Sequence, residues 1–75
     1  MNRLQTSSTI QVLANGEPRT VPAGGTLAGF LAELGLDPDV VVVERNGEIV
    51  PRPLFEGLRL ETDDRLEIVH FVGGG

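Results

Sequence analysis

The chain contains no cysteine, lysine, tryptophan or tyrosine, and its single histidine is His70. Without cysteine there is no disulfide, thiolate zinc site, thiol nucleophile or ferredoxin-type iron–sulfur cluster. Without lysine there is no side-chain amine for a Schiff base and no P-loop lysine to hold ATP phosphates. One histidine excludes a two-histidine metal site. We therefore predict that the chain binds no metal and no cofactor, and that it is not itself an enzyme.

Positive charge and long apolar runs are also scarce. Eleven acidic residues against six arginines give a net charge of −5 over 75 residues. This balance argues against nucleic acid and anionic membranes, whereas it suits either a basic docking partner or simple solubility. The opening residues lack the apolar core of a secretory signal, and no run is long enough to cross a membrane. We expect a single cytoplasmic domain.

Two strands open the predicted domain. Residues 9–14 alternate apolar and polar side chains, and Asn15-Gly16 favours a tight hairpin turn. A second strand follows at 19–21 and ends at Pro22. Residues 1–8 are polar and are predicted to form a flexible N-terminal extension, which leaves 9–72 as the folded domain and 73–75 as a flexible glycine tail.

One helix is predicted after the first hairpin. Thr26 is a good N-cap and Gly35 a good C-terminal stop. Between them, a single apolar stripe is formed by Leu27, Phe30, Leu31 and Leu34. At about eight residues the helix is shorter than the roughly 12–15 that an isolated helix needs, so a sheet must hold it.

Three main strands and one short edge strand are predicted in the second half of the chain. The run 40–43 is all valine, which favours an inner strand buried on both faces or nearly so, and Asn46-Gly47 turns it into a partner strand at 48–50. A short edge strand is predicted near Leu60, and a last strand at 65–72. Two hairpins, a crossing helix and a returning strand predict an α+β, β-grasp fold: a mixed sheet with one main helix on one face.

One helix covers only one face of such a sheet. If Leu66 and Ile68 face the helix, Val69 and Phe71 face outward, because neighbouring side chains of a strand alternate. An exposed apolar patch of this kind marks a protein interface unless something else covers it. The segment 54–60 folding over the patch is the alternative, and both hypotheses stay open.

The glycines at 73–75 follow the last strand directly. Taken alone, such a tail is usually fraying or a cloning residue. Extended at about 3.3 Å per residue, however, it would hold the Gly75 carboxylate roughly 10 Å from the fold and could thread a narrow channel. Transfer of adenylate from ATP would make AMP the leaving group, and a sulfur nucleophile would then give a C-terminal thiocarboxylate. An ATP-using partner must supply the phosphate and magnesium contacts.

The segments 43–49 (VERNGEI) and 68–75 (IVHFVGGG) together resemble the ThiS family of sulfur carriers in thiamine biosynthesis. The resemblance runs from about Ile10 to Gly75 and implies a ubiquitin-like β-grasp fold. It also implies that Gly75 is adenylated and then thiocarboxylated, with Gly74 as its neighbour. The residues that it places against partners are Val69, Phe71, Val72 and Gly73.

The same resemblance implies three partners. They are a ThiF-like adenylyltransferase that uses ATP and Mg, a sulfur donor such as a cysteine desulfurase, and thiazole synthase (ThiG), which receives the sulfur. The N-terminal extension departs from the family, whose members usually start at the first strand.

Other functions compete with this interpretation. The small subunit of molybdopterin synthase would use the same carrier chemistry. A ubiquitin-like protein modifier would join Gly75 to lysines of targets, and a non-catalytic binding module would make no use of the tail. For four side chains we favour structural roles: His70 as an exposed strand residue, Arg45 at the end of a strand instead of at a docking contact, and Asp63-Asp64 as a turn instead of a metal site.

Overall fold

A computed structural model describes residues 8–71 of the chain. Its elements are β1 (Thr9–Ala14), β2 (Glu17–Pro22), α1 (Leu27–Glu33), β3 (Val41–Arg45), β4 (Glu48–Ile49) and β5 (Arg65–His70), with 3₁₀ turns at Pro38–Val40 and Arg52–Leu54. The strands form one mixed sheet in the order β2-β1-β5-β3-β4. The β1 and β5 strands are parallel, and the other neighbours are antiparallel. The predicted α+β, β-grasp arrangement is confirmed.

Both predicted hairpins are present, and each turns on an Asn-Gly pair. The φ angles are 51° at Asn15 and 83° at Gly16, and 52° at Asn46 and 89° at Gly47. Two successive left-handed residues match the right-handed twist of the flanking strands, which is why Asn-Gly is favoured there.

The second strand is longer than the sequence pattern predicted. It begins at Glu17 and includes Pro22, which was predicted to end it. Pro18 and Pro22 lie opposite Leu13 and Thr9. A proline is tolerated at such positions because β2 is an edge strand, and its outward-facing backbone has no neighbouring strand to bond.

The helix has the predicted caps. The Thr26 hydroxyl accepts a 3.1 Å hydrogen bond from the Gly29 N–H, and Gly35 takes a φ of 75° just beyond the last turn. The helix buries its stripe against the sheet, in a core formed by Val12, Ala14, Val21, Leu27, Phe30, Leu31, Val41, Val43, Phe55, Leu60, Leu66 and Ile68. Between residues 8 and 71, no helix has the length and apolarity needed to span a membrane.

The valine run is less buried on its outward face than the sequence pattern predicted. Val40 ends a 3₁₀ turn, Val41 and Val43 are fully buried against the helix side, and Val42 is only half-buried. The strand is an inner strand, between β5 and β4. Its outward face therefore lacks a cover within residues 8–71.

The segment between β4 and β5 packs beside the helix. Phe55 and Leu60 belong to the core, and the Phe55 and Leu58 carbonyls accept hydrogen bonds of 2.9 Å from the N–H groups of Ala28 and Leu27. The hypothesis that this segment covers the outward face of the sheet was wrong. The predicted edge strand near Leu60 is reduced to a single bridge between Arg59 and Thr26.

Candidate partner-binding surface

The last strand presents the two apolar side chains that were predicted to face outward. Leu66 and Ile68 are buried, whereas Val69 and Phe71 are each 55% exposed. Phe71 is held by its N–H group, which donates a 2.8 Å hydrogen bond to the Val40 carbonyl. The backbone is therefore paired up to Phe71 while the side chain remains accessible. The other predicted site residues, Val72, Gly73, Gly74 and Gly75, lie outside the described residues.

Neighbouring strands extend this surface. Val42 lies opposite Val69, and Glu44 lies opposite both Glu67 and Ile49. Residues directly opposite one another share a face of the sheet. Ile49 is 66% exposed, so an apolar row and an acidic pair lie side by side on the face away from the helix. We call this set the outer face: Val42, Glu44, Ile49, Glu67, Val69 and Phe71.

His70 is exposed, as predicted, and lies in register with Val41 at the end of β5. Among residues 8–71 there is no cluster of three or more His, Asp or Glu side chains that could hold a metal ion. The side chains that the described outer face offers to a partner are apolar and acidic.

A buried carboxylate supports the end of the sheet from which the outer face is built. Asp64 is 5% exposed and accepts hydrogen bonds from the Arg45 Nε at 3.0 Å, the Asn46 Nδ2 at 3.1 Å and the Glu61 N–H at 2.8 Å. The sequence predicted a turn at Asp63-Asp64, and the φ of 70° at Asp63 agrees. It missed that Asp64 is an interior anchor and that Arg45 is its ion-pair partner.

The charge state of Asp64 follows from these contacts. Burial raises the pKa of the Asp64 carboxyl, but the Glu61 N–H, the Asn46 amide and the Arg45 guanidinium lower it, and the net result is a pKa below the ordinary value. Asp64 is thus ionised at neutral pH.

Asn46 completes the support. Its N–H donates to the Arg65 carbonyl at 2.8 Å, and its Oδ1 accepts from the Arg65 N–H at 2.9 Å. Arg45 and Asn46 together tie the β3–β4 hairpin to the start of β5. Within segment 43–49, singled out from the sequence, Arg45 and Asn46 therefore help to hold β5 in register.

The glycine-rich end and the mixed sheet find their counterpart in one protein family. A profile of the ThiS family matches residues 12–75. The chain belongs to the ThiS family. The sulfur carrier protein ThiS of Bacillus subtilis is 45% identical over 51 residues, which cover 68% of this chain and 77% of that protein.

A solved ThiS-family structure has the same fold. The thiamine biosynthesis protein ThiS from Geobacter metallireducens is 31% identical and superposes with a TM-score of 0.70, over 88% of this chain and all of that one. A thiazole synthase of Magnetococcus marinus is 46% identical over 66 residues. This ThiS-family chain spans 20% of the length of that relative.

Proposed function

We propose that this chain is a sulfur carrier for thiazole formation in thiamine biosynthesis, with the Gly75 carboxyl group as the point of attachment. The observation that carries the proposal is the ThiS-family match, which runs from β1 to Gly75 without leaving out the glycines. The similarity to the Bacillus sulfur carrier supports the role of the chain, and the thiazole synthase relative supports the thiamine branch over molybdopterin.

The proposed chemistry takes place at the Gly75 carboxylate. Its oxygen attacks the α-phosphorus of ATP, pyrophosphate leaves, and an acyl adenylate forms. A sulfur nucleophile at the sulfide level, freed from a persulfide donor by a thiol reductant, then adds to the carbonyl carbon and AMP leaves, which gives the thiocarboxylate. Thiazole synthase takes up that sulfur. A ThiF-like adenylyltransferase and its magnesium ion would supply the charge stabilisation, and a donor such as a cysteine desulfurase would supply the sulfur.

The chain's own contribution would be delivery. Gly73, Gly74 and Gly75 have no side chains that could obstruct a narrow active-site channel. Val69 and Phe71 would dock against the partner, because they are exposed apolar groups on a rigid strand next to the tail. Val72 would lie between these docking residues and the glycines. In this scheme the chain is a substrate of its partners and catalyses none of the steps.

Intact-mass analysis tests the carrier chemistry. A chain ending at Gly75 is incubated with ATP, magnesium, the adenylyltransferase from the same genome and a sulfur donor. The expected product has one oxygen replaced by sulfur, mapped to Gly75, and a chain shortened to Gly73 should remain unchanged. An unmodified full-length chain, with an adenylyltransferase shown to load another carrier, would reject the proposal in favour of a binding module.

A further inference from the structure

Two glutamates lie directly opposite each other on the outer face, and neither forms an ion pair within the part of the chain that the structure describes. Glu44 and Glu67 are directly opposite in the β3–β5 ladder. The ion pairs of residues 8–71 are Arg45–Asp64 and Arg19–Glu17, and neither includes these glutamates. Like charges directly opposite one another destabilise a sheet. The isolated domain therefore carries a repulsion that an apolar or oppositely charged pair would remove.

The acidic pair interrupts an apolar surface. On the same face, Val69 and Val42 adjoin it along the strands, and Ile49 lies beside Glu44 across the sheet. Val69 and Ile49 are more than half exposed. A shallow depression of about 410 Å³ is lined by Glu44, Asn46, Gly47, Arg65 and Glu67. Arg65 is on its rim but makes no ion pair with either glutamate.

We propose that the outer face docks thiazole synthase, and that an arginine of that partner enters between the Glu44 and Glu67 carboxylates. This inference rests on the function proposed above and names the residues that select the partner. A guanidinium fork can bond both carboxylates at once, while its aliphatic stem covers apolar neighbours such as Val69 and Ile49. Binding would then relieve the repulsion stored in the free domain.

The distinguishing consequence is an opposite effect on stability and on binding. Glu44→Gln and Glu67→Gln each remove the repulsion, so the melting temperature of the free domain should rise by about 1 to 5 °C. The same variants should raise the Kd for thiazole synthase roughly three- to tenfold, and that Kd should depend less on salt concentration. Glu33→Gln is the matched control, because it makes the same change in net charge on exposed helix surface.

The test uses the full chain and thiazole synthase from the same genome, with calorimetric titration at several salt concentrations. Unchanged affinity in Glu44→Gln and Glu67→Gln, or an equal loss in Glu33→Gln, would overturn the proposal. A wild-type chain that acquires sulfur but does not bind thiazole synthase would overturn this partner and leave the carrier chemistry standing. A wild-type chain that acquires no sulfur would reject the proposed function itself.

Discussion

The Arg45 guanidinium and the Asp64 carboxylate form an ion pair, with 3.0 Å between Nε and Oδ2, beside the turn of the β3–β4 hairpin. The Asp64 side chain is 6% exposed and that of Arg45 is 23% exposed, so water screens the pair only in part. Asp64 also accepts from Asn46 and from the Glu61 N–H. One carboxylate thus joins the β3–β4 hairpin to the turn that precedes β5.

Replacing Asp64 by asparagine tests this anchor. Three donors converge on the carboxylate, and an amide offers only one oxygen to accept them, so the Arg45 charge loses its partner. We expect Asp64→Asn to lower the free energy of unfolding by about 2–4 kcal/mol. Chemical denaturation measures the change. Asp63→Asn is the control, since that exposed neighbour should change stability by only about 0.5 kcal/mol or less. Equal effects of the two substitutions would contradict the anchoring role.

The pH dependence of stability has a predicted sign. The pKa of Asp64 in the folded state is below its ordinary value of 3.8, which approximates the unfolded state. The unfolded chain therefore binds the proton first, and the contribution of Asp64 is present in full above the unfolded pKa. It declines as the pH falls from about 3.8 through the lower folded-state pKa.

Denaturation curves between pH 6 and pH 2 should show this loss in the wild-type chain. Subtracting the profile of Asp64→Asn isolates the carboxylate, and the difference between the two proteins should shrink toward low pH. A difference that stays constant with pH would mean that ionisation of Asp64 does not contribute to folding.

Asn15 extends the sheet with its side chain. Its Oδ1 accepts a 2.7 Å hydrogen bond from the Ile68 N–H, and its Nδ2 donates to the Ile68 carbonyl at 3.1 Å. These contacts continue the parallel β1–β5 ladder beyond the two paired positions, Leu13–Arg65 and Ala14–Leu66. The Asn15 side-chain amide therefore makes the two hydrogen bonds that a further residue of β1 would make to Ile68, at a point where the β1 backbone has already turned away.

Asn15→Gly distinguishes the role of Asn15 in the hairpin turn from the role of its side-chain amide, which bonds Ile68. Glycine accepts the left-handed φ of 51° but has no amide, so we expect a loss of about 1–2 kcal/mol and faster amide exchange at Ile68. Hydrogen exchange followed residue by residue measures both. Glu67, whose backbone faces Glu44 instead, is the internal control. Exchange that rises equally at Glu67 and Ile68 would show global destabilisation and not the loss of this bridge.

The fold was predictable because its local signals agree with one another. Both Asn-Gly turns, the Thr26 cap and the Gly35 stop are short-range features, and each appears where the sequence placed it. The apolar alternation of β5 gave the outward direction of Val69 and Phe71. Recognising that Val69 and Phe71 face away from the helix needed no more than this alternation and the presence of a single helix.

What the sequence did not reveal depends on contacts between distant positions. Asp64 looks like any turn aspartate, and only the meeting of the β3–β4 hairpin with the start of β5 shows that it is buried. The side chain of Asn15 bonds Ile68, 53 positions away. The path of segment 54–60 was left open, because its apolar residues would suit either face of the sheet equally well.

Substitution of Phe71 best distinguishes an effect on partner docking from an effect on the stability of the fold. Its side chain is 55% exposed, so Phe71→Ala removes little buried area and should cost about 1 kcal/mol of stability or less. If Phe71 docks against the adenylyltransferase, kcat/KM for thiocarboxylate formation should fall roughly tenfold or more, as expected for an aromatic anchor at an interface. Mass spectrometry of the product over time measures this rate.

Leu54→Ala is the matched control for that experiment. Leu54 is 53% exposed, almost the same as Phe71, but it lies in the 3₁₀ turn between β4 and β5 and not on the strand that leads to the tail. Loss of a similar apolar area there should leave the loading rate within about twofold of wild type, because residues outside the centre of an interface contribute little to binding. Equal loading by the two variants would exclude Phe71 from the surface that docks the adenylyltransferase. An equal loss of loading rate in both variants would indicate nonspecific apolar contact with the partner. A specific contact next to the tail would not involve Phe71 and Leu54 to the same extent.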